Sequence, residues 1–376
     1  MSSELSAERQ PPAVDFAALA AELDARDDLA ALRERFTLPD GVTYLDGNSL
    51  GALPSGVLPA LAGVVGQEWG QDLITSWNVH DWWSLPARVG DRIGRLIGAA
   101  PGQVLCGDST SVQLFQALVA ACRLRPGRTR ILTDGGSFPT DQYLADSVAG
   151  LLGMTVTRLH PSELAQVLSD DVAVVSFSQV DYRTGELFDL AAVTEQVHAS
   201  GALMLWDLCH SAGAVPVELD RAQVDLAVGC SYKYLNGGPG APGYIYLAAR
   251  HIQAVQLPLT GWQGHRTPFR LQSGYEPAPS IERARIGTPP LLSMAALDAA
   301  LDAFEGVSMA AVRAKSLQLT QLVIDFAQHR LAGHGVTVVT PAEPARRGSQ
   351  VSLRMPGAYE VCQALIERGV IGDFRE

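Results

Sequence analysis

Two apolar runs in this sequence end in groups that can do chemistry together. Ala202-Leu203-Met204-Leu205-Trp206 has the length of a buried strand and stops at a carboxylate, Asp207. Asp225-Leu226-Ala227-Val228-Gly229-Cys230 is a second such run; it delivers Ser231, Tyr232 and Lys233 into a loop rich in glycine and proline. Two buried strands would aim the acid and the amine at one crevice, beyond the carboxyl ends of an open α/β sheet. An amine packed among apolar neighbours is held neutral enough to condense with an aldehyde. A carboxylate from the neighbouring strand can keep a pyridinium nitrogen protonated. A Schiff-base lysine paired with such an aspartate is the seat of pyridoxal phosphate. Read singly, Lys233 is a solvated loop lysine and Asp207 a helix cap; with His210 and the Tyr-Lys-Tyr context, the cofactor reading leads.

The elements that would position these groups alternate along the chain. A strand, Val104-Leu105-Cys106, runs into Gly107-Asp108-Ser109-Thr110-Ser111 and then a helical pattern to Ala121. Hydroxyls where a strand becomes a helix form an anion site, because free N–H groups and the helix dipole converge there; an ordinary N-cap would look the same. Ile131–Asp134 is the next strand, and Phe138-Pro139-Thr140-Asp141 opens another helix. Thr155–Thr157, a helix near 161–169, the strand Val172–Ser178 and a helix at 189–199 complete a βαβα order. Strands this continuously apolar argue for a mostly parallel sheet covered by helices on both faces. Ser178 closes its strand at the same end as Asp207. No GxGxxG occurs at a strand-to-helix turn, which weighs against a dinucleotide.

Outside this block, residues 1–12 read as a loose tail and Ala13–Arg35 as one or two amphipathic helices. A short strand Val42–Leu45 enters the turn Asp46–Gly51. Residues 57–98 read as helices broken at Ile74–Asn78, with Trp77, Trp82 and Trp83 close together. Residues 291–330 are helical; strands at Val336–Val339 and Gln350–Leu353 and a helix at 357–368 follow.

The bulk numbers exclude several classes. The chain has 376 residues, 47% hydrophobic and 18% charged, with net charge −12. It can bury a large core, and its acidity without a basic run makes nucleic acid and anionic membranes poor partners. Five cysteines, an odd number without CxxC spacing, fit reduced thiols in a cytoplasm. The N-terminus has no secretory signal, and no apolar run approaches the roughly 18 residues that span a bilayer.

Specific motifs sharpen the reading. WDLCHSAGAVPV, GCSYKYLNGGPG and GWQGH (261–265), together with YLDGNSLG (44–51), GDSTSVQLF (107–115) and FPTD (138–141), resemble kynureninase of the bacterial type. That family is a fold-type I pyridoxal-phosphate group: a mostly parallel sheet covered by helices plus a smaller α+β C-terminal domain. The resemblance runs from about residue 30 onward, with its motifs in family order. It implies an N-terminal arm and active-site loop at 1–56, a large cofactor-binding domain at 57–290 and a small domain at 291–376. It also implies hydrolytic Cβ–Cγ cleavage of kynurenine or 3-hydroxykynurenine, an amino-acid substrate, to an anthranilate and L-alanine in tryptophan catabolism, by a homodimer.

Residue by residue, the resemblance puts Thr110, Ser111, Tyr232 and Trp262 on the phosphate, Trp262 from this subunit or its neighbour. Phe138 would stack on the pyridine, with Pro139, Thr140 and Asp141 in the same pocket. Lys233 and Asp207 carry the chemistry. Ser178 reaches the site or is a surface hydroxyl; His210 orients Asp207 or the phosphate, or lies on a helix surface. Thr288 contacts cofactor and substrate, and Trp77 the substrate; Trp82, Trp83 and His265 are read as packing residues. Family chains continue through a strand bearing an arginine that clamps the substrate carboxylate. Arg375 lies upstream of that position and is not given its role, so a truncated chain or a non-catalytic cofactor binder stands as an alternative. A cysteine desulfurase or an aminotransferase is another.

Overall fold

The computed structural model describes residues 14–375, so the N-terminal tail read at 1–12 lies outside the described residues. Seven strands build the central sheet: β1 (Val104–Cys106), β2 (Arg130–Asp134), β3 (Thr155–Leu159), β4 (Val172–Ser178), β5 (Leu203–Asp207), β6 (Leu226–Gly229) and β7 (Tyr244–Leu247). Their spatial order is β1-β7-β6-β5-β4-β2-β3. β7 runs antiparallel to both its neighbours, and the remaining pairs are parallel.

Every residue of β4, β5, β6 and β7 is buried. Successive side chains enter opposite layers: Met204 and Trp206 join Val175, Phe177 and Ala227, whereas Leu203 and Leu205 join Val174, Leu226 and Val228. Both faces are therefore core, which is why the strands read as unbroken apolar runs rather than as alternation. Helices α1 (Thr110–Arg123) and α2 (Pro139–Leu152) cover one face through Leu114, Leu118, Ala145 and Val148. Helix α3 (Leu190–Ala199) and the helix Leu85–Leu96 cover the other through Val197, Val89 and Ile93. Truncating such a side chain, as in Leu205→Ala, costs about 2–5 kcal/mol.

Register levels the strand ends. Ser178 lies opposite Asp207, and Asp207 opposite Val228. The carboxyl termini of β4, β5 and β6 thus share one edge, from which Cys230–Lys233 continues.

Several elements depart from the sequence reading. The break expected at Ile74–Asn78 is instead a chain of short helical turns, Leu73–Thr75 and Ser76–Val79, secured by Ser76 Oγ donating to the Glu68 carbonyl. The C-terminal region contains α4 (Leu291–Ala300), α5 (Met309–Phe326) and α6 (Ala358–Ile366). Its strand pair is short, Thr337–Val338 against Leu353–Arg354. Gln350 and Val351, expected in that strand, fall outside it because the chain here is drawn to the large sheet: Ser349 Oγ donates to the Ala214 carbonyl and Gln350 Nε2 to the Tyr182 carbonyl. Val370–Ile371 pairs in parallel with Thr43–Tyr44, tying the C-terminal region to the N-terminal segment. Among the described residues no helix is long and apolar enough to cross a membrane.

Candidate active site

Lys233 stands just beyond the carboxyl end of β6. Its loop is fastened at both sides: Gly237 N–H donates to the Ser231 carbonyl (2.8 Å), and Asn236 N–H to the Lys233 carbonyl (2.9 Å). The turn Asp46–Gly51 closes on the same loop, with Gly51 N–H donating to the Tyr232 carbonyl (2.8 Å). Gly51 has to be glycine there, since a Cβ would lie 2.3 Å from the Lys233 carbonyl oxygen. This places the N-terminal loop against the amine-bearing segment.

Lys233 Nζ donates to Nε2 of His210 at 2.7 Å. His210 is buried, and its Nδ1 lies 3.1 Å from Oε1 of Gln350. Burial, then the charge of Lys233, pushes the His210 pKa down to about 3, so the ring is a neutral imidazole. The sequence reading gave this histidine to Asp207 or to a phosphate. It turns to Lys233 instead because the turn after β5 curls toward β6: Leu208 N–H donates to the Val228 carbonyl, and Ser211 N–H back to Leu208.

Asp207 ends β5, buried, accepting from Cys209 N–H (2.7 Å) and from Ser178 Oγ (3.4 Å). Ser178 therefore belongs to the site rather than to the surface. Asp141, in the first turn of α2, meets the same group. The residue as a whole keeps some exposure, but its carboxyl end is enclosed, and burial together with the adjacent Asp207 raises its pKa well above the ordinary carboxylate range. The two carboxyls oppose each other's ionisation, and the charge of Lys233 offsets part of the effect on Asp141.

Phe138 precedes that turn, with Pro139 and Thr140 following it into α2. Its ring is 48% exposed and meets the Tyr182 ring edge-on at 5.4 Å, leaving an aromatic face open. At the N-terminus of α1 a cavity of about 620 Å³ is lined by Ser109, Thr110, Tyr232 and Thr288 among others. Of the residues expected to meet an anion, Thr110, Tyr232 and Thr288 line this cavity. Ser109 is the N-cap, accepting from Val112 N–H, and Ser111 is exposed and does not line the cavity.

Trp77 and Trp262 do not line that cavity either. They join an aromatic cluster in which Trp83 bridges Trp77 (6.4 Å), Trp262 (5.8 Å) and Phe269 (5.0 Å). Trp262 and Phe269 remain 41% and 74% exposed. His265 Nδ1 accepts from Thr267 N–H.

Sequence reasoning missed Gln350 and Tyr182, which no motif marks. It also missed a simple count. The chain has two lysines, Lys233 and Lys315, and Lys315 is paired with Asp27. An amine, a buried pair of acids, an open aromatic face and a hydroxyl-lined cavity at a helix N-terminus fit a phosphorylated pyridine aldehyde, the chemistry of pyridoxal phosphate.

Known proteins give the same answer. A family model described as the kynureninase C-terminal domain matches residues 312–376. The chain is 49% identical over 370 residues to a kynureninase from Deinococcus radiodurans, covering 97% of this chain and 90% of that one. It is 48% identical over 361 residues to the kynureninase from Pseudomonas fluorescens, covering 94% and 87%. Among solved structures, a cystine C–S lyase with glycine covalently linked to its pyridoxal-phosphate cofactor matches with TM-score 0.79 at 18% identity, covering 90% of each chain. A cysteine desulfurase from Thermococcus onnurineus matches with TM-score 0.76 at 17% identity, covering 91% and 86%. The structures establish a fold-type I pyridoxal-phosphate architecture, and the near-half identity over almost the whole length establishes that the chain belongs to the kynureninase family.

Proposed function

We propose that the protein is a pyridoxal-phosphate-dependent kynureninase that hydrolyses the Cβ–Cγ bond of L-kynurenine, or its 3-hydroxy form, to anthranilate, or its 3-hydroxy form, and L-alanine. The observation that carries the reading is identity of 48–49% to kynureninases over 94–97% of the chain. The site's donor set agrees with it.

Lys233 would hold the cofactor aldehyde; Asp207, with Ser178 and Asp141 beside it, would hold the pyridinium nitrogen. Thr110, Tyr232 and Thr288, which line the cavity, would serve the phosphate, with Ser111 outside that lining; Phe138 would cover the ring, with Pro139 and Thr140 shaping its edge. When bound, pyridoxal phosphate supplies an electron sink for the pair left at the substrate Cα. The Lys233 amine, freed when substrate displaces it, takes the Cα proton. His210 Nε2 keeps that amine aimed through the contact described above. Water would then add to the substrate γ-carbonyl; the bond to Cβ would break with its electron pair left on Cβ, which takes a proton, and return of a proton from Lys233 to Cα would complete L-alanine.

The exposed Trp262–Phe269 face is assigned to a second copy, which would bring Trp262 to the phosphate and Trp77 to the substrate in a cytoplasmic homodimer. The small domain begins near 291 in this reading. A desulfurase would require a thiol on an open loop. Cys106, Cys122, Cys209 and Cys230 are buried, and Cys362 donates to the Gly372 carbonyl.

The test is a fluorescence assay for anthranilate on the cofactor-loaded protein, with cysteine and 2-oxo acids offered in parallel. Kynurenine turnover supports the assignment. Sulfide from cysteine, or amino transfer to an oxo acid without anthranilate, overturns it.

A further inference from the structure

Gln350 lies 140 residues from His210 in sequence, yet it is the second partner of the imidazole that touches Lys233. Two neighbours fix the orientation of its carboxamide. One end is 2.9 Å from the Tyr182 carbonyl oxygen, which only accepts, so that end is the NH2 group. The other end is therefore Oε1, also only an acceptor, and it faces His210 Nδ1. Nδ1 must carry the hydrogen. In a neutral ring the lone pair then lies on Nε2, the atom 2.7 Å from Lys233 Nζ.

The carbonyl that orients Gln350 is itself held. Arg375 Nη1 donates to it (3.1 Å), the guanidinium sits 5.3 Å over the Tyr182 ring, and Nη2 donates to Ser49 Oγ (3.2 Å). The groups facing His210 are thus Lys233, Gln350, the charges of Arg375 and Asp373, and the Tyr234 ring at 6.5 Å. The C-terminal region supplies three of these.

We propose that Gln350 is a positioning residue for the reaction: it locks His210 in the Nδ1–H form, so that Nε2 accepts from Lys233 and aims the amine that binds cofactor and takes the Cα proton. The proposal rests on the role given to Lys233 above. It makes docking of the C-terminal region a condition for a correctly presented lysine.

The experiment is nitrogen-15 NMR of histidine-labelled protein, cofactor-free and cofactor-loaded, with the His210 signals among eight histidines identified through His210→Gln. Wild type should show His210 as one tautomer with hydrogen on Nδ1. Gln350→Met, of similar length but without the acceptor, should show mixed tautomers, and its kcat should fall about 10- to 100-fold with KM changed less than roughly threefold. Gln350→Glu should convert His210 to the doubly protonated ring and move the acid limb of kcat upward by about one to two pH units. A Gln350→Met protein with wild-type tautomer and kcat overturns the proposal. Should that variant not fold, a neutral His210 in Gln350→Glu overturns it instead. The cofactor-free spectra need no turnover, so the failures separate. Tautomer control in a wild type that cleaves no kynurenine defeats the functional reading and the catalytic half of the proposal; turnover without tautomer control defeats the proposal alone.

Discussion

The two ends of β5 and β6 carry buried aspartates that meet different supplies of hydrogen-bond donors. At the amino end, Asp225 accepts from His251 Nε2 (2.8 Å), Arg250 Nη2 (2.7 Å), His198 Nε2 (2.7 Å) and Met204 N–H (2.8 Å). Burial there would raise its pKa, but the hydrogen bonds from His251, Met204 and His198 win and hold it well below the ordinary range. At the carboxyl end, Asp207 receives one backbone N–H and one hydroxyl, and the neighbouring Asp141 is driven upward. Asp225 and Asp207 are both buried; donor supply differs. The amino-end carboxylate is completed by its own chain and acts as a fastening. The carboxyl-end pair has fewer donors from its own chain, which is what the proposed role toward a cationic ring requires.

The sharpest way to break this contrast is to remove the amine. Lys233→Ala should abolish kynurenine cleavage and the lysine-bound chromophore while leaving the thermal midpoint of the cofactor-free protein in place. With Lys315 as the alternative lysine, cofactor found joined to a lysine after borohydride reduction of the variant would show that the wrong amine was chosen. Asp207→Ala comes next. Breaking a buried charged pair costs roughly 3–5 kcal/mol, which as a barrier is about two to four decades in kcat. The variant should stay folded by circular dichroism. Turnover within tenfold of wild type would take Asp207 out of its role.

How much of this was legible follows from the same contrast. Asp207 and Lys233 could be read because each closes an apolar run, and the period of burial reports strand ends directly. Thr110 and Phe138–Asp141 were readable because each opens a helix after a strand. Partnerships made by docking were not. Gln350 reaches His210 from a region whose path depends on Ser349 meeting Ala214, and no local pattern encodes that contact. The ring of donors around Asp225 escaped for the same reason, since His198, Arg250 and His251 lie 25–27 residues from it on two helices, one before it and one after. Trp77 and Trp262 were visible as aromatics, but their shared cluster with Trp83 appears only in the fold. The count of two lysines was available throughout and would have isolated Lys233 at once.

The amino end should respond in stability rather than rate. Asp225→Asn is expected to lose about 3 kcal/mol near neutral pH, read as a lower midpoint in urea, with kcat within about twofold of wild type. Because its folded pKa is depressed, the stabilisation from Asp225 is present above the ordinary carboxylate range and lost as pH falls below it. The gap between variant and wild type should close in acid; a gap independent of pH would mean that Asp225 contributes by shape and not by charge.

Asp141→Asn gives the smallest effect and the opposite sign. A raised folded pKa means that wild-type stability is fully present below the ordinary carboxylate range and declines as pH rises through the elevated value. The amide removes that decline, so the cofactor-free variant should gain about 1 kcal/mol on wild type toward neutral pH. Loading the cofactor should erase the gain, because a ring cation beside Asp207 supplies the donor that the pair lacks. Thermal unfolding of both proteins, cofactor-free and loaded, across about pH 4–8 reads both steps. An Asp141→Asn protein that is less stable than wild type at every pH would show that the pair is already satisfied without a ligand, and the distinction between the two ends of the sheet would fall.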